Sequence, residues 1–301
     1  MDVAVTGSSG LIGTALVGRL RSDGHRVRRV VRSGGGSADE VSWDPAAGTI
    51  DTAALAGVEA VVHLAGEGIA DHRWTDDHKR RVLDSRVQGT GLIARTMAAL
   101  DPKPGVLLSG SAIGFYGDRG DELLTEDSPA GVGFLPDVVR AWEAAANPAV
   151  EAGIRTAYLR SGVVLSKEGG ALAKQLPLFK VGAGGKMGDG RQWLPWISID
   201  DEVGAIVHLL TADVSGPVNL TAPEPVTNAE FTKALGAVLG RPTFLPVPKF
   251  GPQLVLGKEL AENLLYSSAR VVPRRLESSG YEFRSPTLEP ALRILLGKEA
   301  A

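Results

Sequence analysis

Three glycines stand at three-residue spacing in Thr6-Gly7-Ser8-Ser9-Gly10-Leu11-Ile12-Gly13, between the apolar run Val3 to Val5 and the helical pattern of Leu11 to Leu20. Each glycine has a physical use in that place. One lets the turn take a positive φ, one lets the backbone come close to a pyrophosphate, and one lets helix and strand pack tightly. The helix start adds free N–H groups and the positive end of its dipole, so the loop is a candidate cradle for dinucleotide phosphates. The next strand ends in Val30-Val31-Arg32-Ser33. A carboxylate at such a strand end accepts from the 2′-hydroxyl of NAD(H), whereas an arginine pairs with a 2′-phosphate, so Arg32 and Ser33 point to NADP(H). Arg32 also has an ordinary explanation as a solvated strand-end residue, because Arg28 and Arg29 make this strand basic throughout.

A loop of this kind needs a parallel sheet beneath it. The first half of the chain alternates short β-type apolar runs with helical patterns, which predicts βαβ units. Strands are expected at Val3 to Val5, Arg26 to Val31, Ala60 to His63, Val106 to Ser109 and Thr156 to Leu159, and a long helix over Asp76 to Leu100. Ala60-Val61-Val62-His63-Leu64 is nearly continuous in apolar residues, as a strand buried on both faces should be. The glycine-rich stretch from Gly182 to Gly190 reads as a loop, and the region 161–195 is where a substrate pocket is expected. A helix over Asp200 to Leu210, a strand at Val218 to Leu220 and a helix over Asn228 to Leu239 follow. Pro246, Pro248 and Pro252 then place a boundary near residue 245, dividing a dinucleotide domain (1–245) from a small helical appendage (246–301). Leu288, Leu292, Leu295 and Leu296 fall on one face of the last helix, which predicts that the appendage docks.

Composition narrows the class. The 301 residues are 44% hydrophobic and 22% charged, ordinary globular usage, and 38 glycines with 18 prolines imply many tight loops. A net charge of -3 gives no general attraction to nucleic acid or to an anionic membrane, so neither is expected as a partner. No cysteine is present, and the five histidines lack metal-ligand spacing, so no metal site is expected. The N-terminus runs straight into a strand pattern and no apolar run reaches spanning length, from which a cytoplasmic location is expected.

The glycine spacing resembles the T-G-x-x-G-x-x-G loop of short-chain dehydrogenases/reductases, and further segments extend that resemblance. Leu64-Ala65-Gly66 is similar to the segment that flanks adenine and ribose. Leu108 to Gly117 is similar to the strand-end serine segment of the extended branch, which contains nucleotide-sugar epimerases and dehydratases. Asp84 to Thr90, the pair Trp142-Glu143, Leu159 to Leu165 and Trp196 to Asp201 resemble an atypical epimerase-like subgroup with a C-terminal domain of unknown function. The resemblance implies a Rossmann-type, doubly wound α/β fold and NADP(H). The cofactor residues it implies are Thr6, Gly7, Ser9, Gly10, Leu11, Ile12, Gly13, Arg32, Ser33, Leu64, Ala65, Gly66, Ser109 and Arg160.

The family mechanism depends on a Tyr-x-x-x-Lys pair, in which lysine and ribose lower the tyrosine pKa so that the phenol can exchange a proton as hydride moves. The corresponding helix, Phe134 to Glu143, contains neither residue. Ser111 occupies the place implied for the serine that bonds the substrate oxygen, and its alternative is to tie down the strand end. Glu67 is the first candidate for a replacement acid or base, against a solvated loop carboxylate. Tyr116 is the second, against a ring packed under the loop. Arg86 stands where the family commonly has asparagine and is a candidate clamp for a carboxylate, phosphate or carbonyl. Arg191 is a candidate to close on the substrate, or a solvated loop residue.

Two readings of function follow. One is an NADP(H)-dependent oxidoreductase or epimerase-like enzyme without the usual pair, acting on a small polar substrate, nucleotide-linked or not. The other is a non-catalytic protein that senses NADP(H) and binds a partner through its appendage. Related folds often pair, so a homodimer is a candidate assembly.

Overall fold

The computed structural model describes residues 1–32, 37 and 39–298. Its central sheet has eight strands: β1 (Asp2–Thr6), β2 (Arg26–Val31), β3 (Glu40–Asp44), β4 (Thr49–Ile50), β5 (Ala60–His63), β6 (Val106–Ala112), β7 (Arg155–Ser161) and β8 (Gly216–Leu220). They lie in the order β8-β7-β6-β5-β1-β2-β3-β4. Every neighbouring pair is parallel except the hairpin of β3 and β4. The chain builds outward from β1 to one side through β2, then returns to build the other side from β5. The crevice at the carboxyl ends of β1 and β5 is therefore the topological switch point, where open α/β sheets bind ligands.

Among the described residues, the helices of eight residues or more complete the frame: α1 (Leu11–Ser22), α2 (Asp76–Ala99), α3 (Phe134–Ala144), α4 (Gly170–Lys180), α5 (Ile199–Thr211), α6 (Asn228–Leu239) and α7 (Leu288–Leu295). Side chains alternate across the strands and fill two cores. Val3, Val5, Val62, Leu108 and Leu159 pack with Leu16 and Leu20 of α1 and Ile206 and Leu209 of α5. Ala4, Val30, Val61 and Leu107 pack on the opposite face with Ile93 and Met97 of α2. Covering both faces lets the parallel strands be apolar throughout, and it makes the fold doubly wound. No helix among the described residues is long and apolar enough to cross a membrane.

The expected helix over 228–239 ends where its chemistry says it should. Thr227 and Glu230 form a reciprocal capping box at one end, and Gly240 closes the other at φ +64°. Among the elements absent from the sequence reading are β3 and α4. In β3, Val41 and Trp43 are buried while Ser42 and Asp44 are exposed, a short period-two pattern. Helix α4 lies between glycines and carries Pro177 inside it, a composition that reads as loop.

The segment after residue 245 is woven into the body. Arg270–Val271 pairs in parallel with Leu123–Leu124. Leu288, Leu292 and Leu295 of α7 join Leu172, Phe179, Trp196, Phe231 and Leu235 in a third core.

Candidate active site

The glycine loop turns from β1 into α1 with Gly7 at φ +64°, and a Cβ there would lie 2.7 Å from the Leu64 carbonyl carbon. A Cβ on Gly13 would lie 2.1 Å from the Gly7 carbonyl oxygen, so this residue lets α1 start against the loop. Gly10 is exposed and caps α1 without a side-chain hydrogen bond. The first backbone bond of the helix runs from the N–H of Thr14 to the Gly10 carbonyl, which leaves the N–H groups of Leu11, Ile12 and Gly13 ahead of the ladder. Ser9 is also exposed beside them. The loop therefore offers backbone donors and no obstructing side chain, the surface a pyrophosphate requires. Arg32 follows β2 at the exposed rim of the same crevice. Ser33 lies outside the described residues.

Thr6 stitches the crevice from beneath and does not face a ligand. Its fully buried hydroxyl oxygen accepts from the N–H groups of Leu64 (3.0 Å) and Ala65 (3.1 Å). With both lone pairs used, its hydrogen goes to Nδ1 of His63 at 2.8 Å. Burial lowers the His63 pKa to about 4, so the ring stays neutral and holds this junction together. Leu64 and Ala65 thus have no free N–H for a ligand, and Gly66 is the exposed residue at the mouth. A Cβ on Gly66 would sit 3.5 Å from the Arg86 guanidinium, which marks the passage to a second region.

That region is a cavity of about 560 Å³ beyond the ends of β6 and β7. Ala112 and Ile113 form its floor, α3 gives one wall, and residues 262–269 reach over from the C-terminal segment. The face that α3 turns to the cavity is apolar, with Leu135 and Val139 four residues apart and Trp142 one turn further on. These residues stand where a proton-exchanging pair at that spacing would act. Arg86 also lines the cavity. Its Nη1 donates to the carbonyls of Glu67 and Val82, both at 3.0 Å, and the guanidinium lies 4.9 Å from the Trp142 ring centre. Burial pulls its pKa down to about 10, with the Glu67 charge acting against the shift. It remains a cation, with donors left for a ligand oxygen.

Several expected site residues lie elsewhere. Ser111 donates to Glu143 Oε1 at 2.7 Å on the α3 side of the sheet, and strand alternation gives the cavity to Ala112 instead. Ser109 is fully buried and bonds only the Gly110 carbonyl, at 3.3 Å. Arg160 pairs with Glu143 through Nε at 2.8 Å and Nη2 at 2.9 Å, and stacks over Phe115 with 3.5 Å to the ring centre. It is a core residue and not a cofactor ligand. Tyr116 is wholly buried, donates to Asn219 Oδ1 at 2.6 Å and accepts from Arg160 at 3.1 Å. Burial raises its pKa despite Arg160, which removes it as a cavity acid. Glu67 sits outside the cavity, its carboxylate 3.7 Å from Arg81 at the surface. Arg191 is exposed, and its neighbour Gln192 lines the cavity, donating to the Met187 and Leu265 carbonyls.

The sequence reading passed over Glu143 as a chemical group, although the Trp142-Glu143 pair stood out. It also passed over Glu202, which follows two aspartates in the first turn of α5 and looks like an ordinary acidic helix start. Only the packing shows that the half-buried Glu143 carboxylate joins Ser111 to Arg160 and that the Glu202 carboxyl is fully buried against Ser161.

Residues 3–221 match the model of the NAD dependent epimerase/dehydratase family, and residues 247–295 match a domain of unknown function. Epimerase family protein Mb2239 of Mycobacterium bovis is 43% identical over 291 residues, covering 96% of both chains. The human epimerase family protein SDR39U1 is 39% identical, covering 98% of this chain and all of the human one. A crystal structure of human SDR39U1 (isoform 2) with NADPH superposes with a TM-score of 0.91 at 36% identity, over 99% of this chain and 100% of the other. UDP-glucose 4-epimerase of Thermotoga maritima, at 18% identity and a TM-score of 0.77, shares the fold. The glycine loop at the switch point, the doubly wound sheet and these matches along nearly the whole chain agree: the protein belongs to the NAD-dependent epimerase/dehydratase family.

Proposed function

We propose that the protein binds NADP(H) in the crevice at β1 and β5 and uses it to reduce a carbonyl compound held in the adjoining cavity. The loop supplies the helix-start donors for the pyrophosphate, and Arg32 supplies a cation where a 2′-phosphate would lie. A human relative of 39% identity that crystallises with NADPH supports the choice of dinucleotide. The observation that carries the reading is the continuity of two surfaces. The crevice ends at Gly66 beside Arg86, and Arg86 is itself a wall of a cavity large enough for a small substrate.

The lining bears on the kind of substrate. Ile113, Leu135, Val139, Trp142, Leu194 and Phe231 give room for an apolar body, while Arg86, Asp118, Gln175, Asn228 and Glu262 give the cavity polar edges, with Arg86 as the cation for the substrate oxygen. NADPH supplies hydride when bound. The chain's own part is to hold the carbonyl against Arg86, exclude water with apolar walls and provide a proton. The absence of polar groups at Ala112, Leu135 and Val139 favours the second reading, a non-catalytic NADP(H) sensor.

Titration with NADPH and NADH decides the cofactor. The parent should favour NADPH, and Arg32→Ala should lose about tenfold of that preference, corresponding to about 1.4 kcal/mol. Unchanged selectivity in Arg32→Ala would remove this residue from the 2′-phosphate site. Turnover of NADPH with any of a series of aldehydes, ketones and quinones separates the enzyme from the sensor.

A further inference from the structure

Hydride transfer to a carbonyl leaves an alkoxide that needs a proton; no ionisable side chain stands on the α3 wall, and Asp118, Glu262 and Tyr266 line the cavity from the loop after β6 and from the C-terminal segment. The opposite wall differs. Ser161, the last residue of β7, lines the cavity next to Gly162 and Val163. Its hydroxyl donates at 2.5 Å to Oε1 of Glu202, a fully buried carboxyl in the first turn of α5. The other carboxyl oxygen, Oε2, has no hydrogen-bond partner. An ionised carboxylate would not be left half-satisfied in such a place without a counter-charge, whereas a carboxylic acid carries its proton there at little cost.

Among the described residues no cation offsets it. Arg160, the preceding residue in β7, points to the other face of the sheet and is bound to Glu143. α1 turns Ile12, Leu16 and Leu20 toward this core. β6 contributes Leu108, and the short strands Val163–Leu165 and Trp196–Ser198 bring no charged residue. On α5 itself, Asp200 is exposed, and the Asp201 carboxylate is occupied by Ser198, Tyr281 and the N–H groups of Arg284 and Ser285.

We propose that Ser161 and Glu202 form the proton-delivery pair of the site, with Ser161 as the catalytic residue at the substrate oxygen and Glu202 as the positioning residue that refills it. This rests on the reading of the protein as a carbonyl reductase. The substrate carbonyl gains a C–H bond from the hydride of NADPH, which is oxidised, and the C=O π pair becomes the alkoxide lone pair. Ser161 Oγ gives its proton to that oxygen, forming the alcohol. Once the Ser161 hydroxyl turns from Oε1 to the substrate oxygen, the carboxylic acid of Glu202 carries its proton on Oε1 and passes it from there to Ser161 Oγ, and the resulting carboxylate recovers a proton from solvent. Burial raises the Glu202 pKa to about 7, with the Ser161 hydrogen bond opposing it, so the acid form persists near neutrality. A proton donor of that strength suits general acid catalysis at neutral pH.

The test compares the parent, Ser161→Ala and Glu202→Gln, each saturated with NADPH, against a series of aromatic and aliphatic aldehydes, ketones and quinones. Ser161→Ala should lower kcat about 10²- to 10⁴-fold with NADPH affinity unchanged. The parent rate should fall as pH rises through about 7, and that limb should vanish in Glu202→Gln, whose amide has nearly the same shape. An infrared carbonyl band of a buried carboxylic acid should be present in the NADPH complex of the parent, shift in Ser161→Ala and be missing in Glu202→Gln. Folding supplies a further readout. The acid is protonated in the folded chain but not in the unfolded one between pH 4.5 and about 7. The parent should therefore lose stability as pH rises through that window, and Glu202→Gln should not.

A parent that turns over a carbonyl while both variants keep its rate and pH profile overturns the relay and leaves the reductase reading standing. A parent inactive with the whole series overturns that reading, and the relay with it. A missing infrared band in the parent overturns the relay alone.

Discussion

At the β1/β5 end the molecule presents backbone, and at the β6/β7 end it presents side chains. The first surface is made by Gly7, Gly10, Gly13 and the opening N–H groups of α1, and its chemistry depends on the chain path. The second is made by Ala112, Leu135, Val139, Trp142 and Ser161, and its chemistry depends on what stands at each position of an otherwise ordinary frame. A backbone site tolerates little change, because a Cβ on Gly13 would collide with the Gly7 carbonyl. A side-chain site can exchange a tyrosine or lysine for leucine or valine and keep the fold. The family scaffold can therefore hold its dinucleotide crevice while the reaction beside it is rebuilt.

The comparison can be broken most forcefully under the cavity. Glu143 is the sole carboxylate bound to the buried Arg160 guanidinium, and it also accepts from Ser111. Glu143→Ala leaves that cation unpaired and should cost about 3–5 kcal/mol of stability, measured by denaturant unfolding. NADPH affinity in the surviving folded fraction should not change. A matching loss of affinity would mean that the two ends are one cooperative unit.

Gly10→Val tests the backbone end. The position is exposed and lies at φ -75°, and an added Cβ would meet the Gly7 carbonyl oxygen at 3.3 Å, so the protein should still fold, with a slightly lowered Tm. The branched side chain takes the space of the pyrophosphate, and NADPH binding should weaken by about a hundredfold or more, the equivalent of about 2.7 kcal/mol. Near-normal binding by calorimetry would remove the loop from the cofactor site.

Arg191→Ala sharpens the cavity's boundary with the smallest effect. The side chain is exposed outside the cavity, so NADPH affinity, Tm and any carbonyl turnover should stay within about twofold of the parent, as for most surface substitutions. A larger loss of turnover would show that the loop 182–192 closes over the substrate.

Local patterns carried much of the fold into view. The glycine spacing, the apolar run of β5 and the helical pattern of Asn228 to Leu239 are effects of neighbours in sequence, and their elements lie where the patterns put them. Strand β3 and helix α4 are harder to see, because a five-residue alternation and a proline-bearing helix between glycines have weak local signals. The candidate site divides in the same way. Glycine type and spacing by themselves determined the backbone cradle, and the missing tyrosine and lysine were visible in residues 134–143. Which face Ser111 takes, whether Tyr116 meets solvent and where Glu67 points depend on strand alternation and on residues far along the chain, such as Asn219 for Tyr116. Glu202 is the clearest case. In sequence it is the third acid of a helix start, while in the fold Ser161, 41 positions away, makes it a buried neighbour of the cavity. Only tertiary structure decided this, because burial and the loss of water, which set what a carboxyl can do, belong to the packed molecule and not to any local stretch of it.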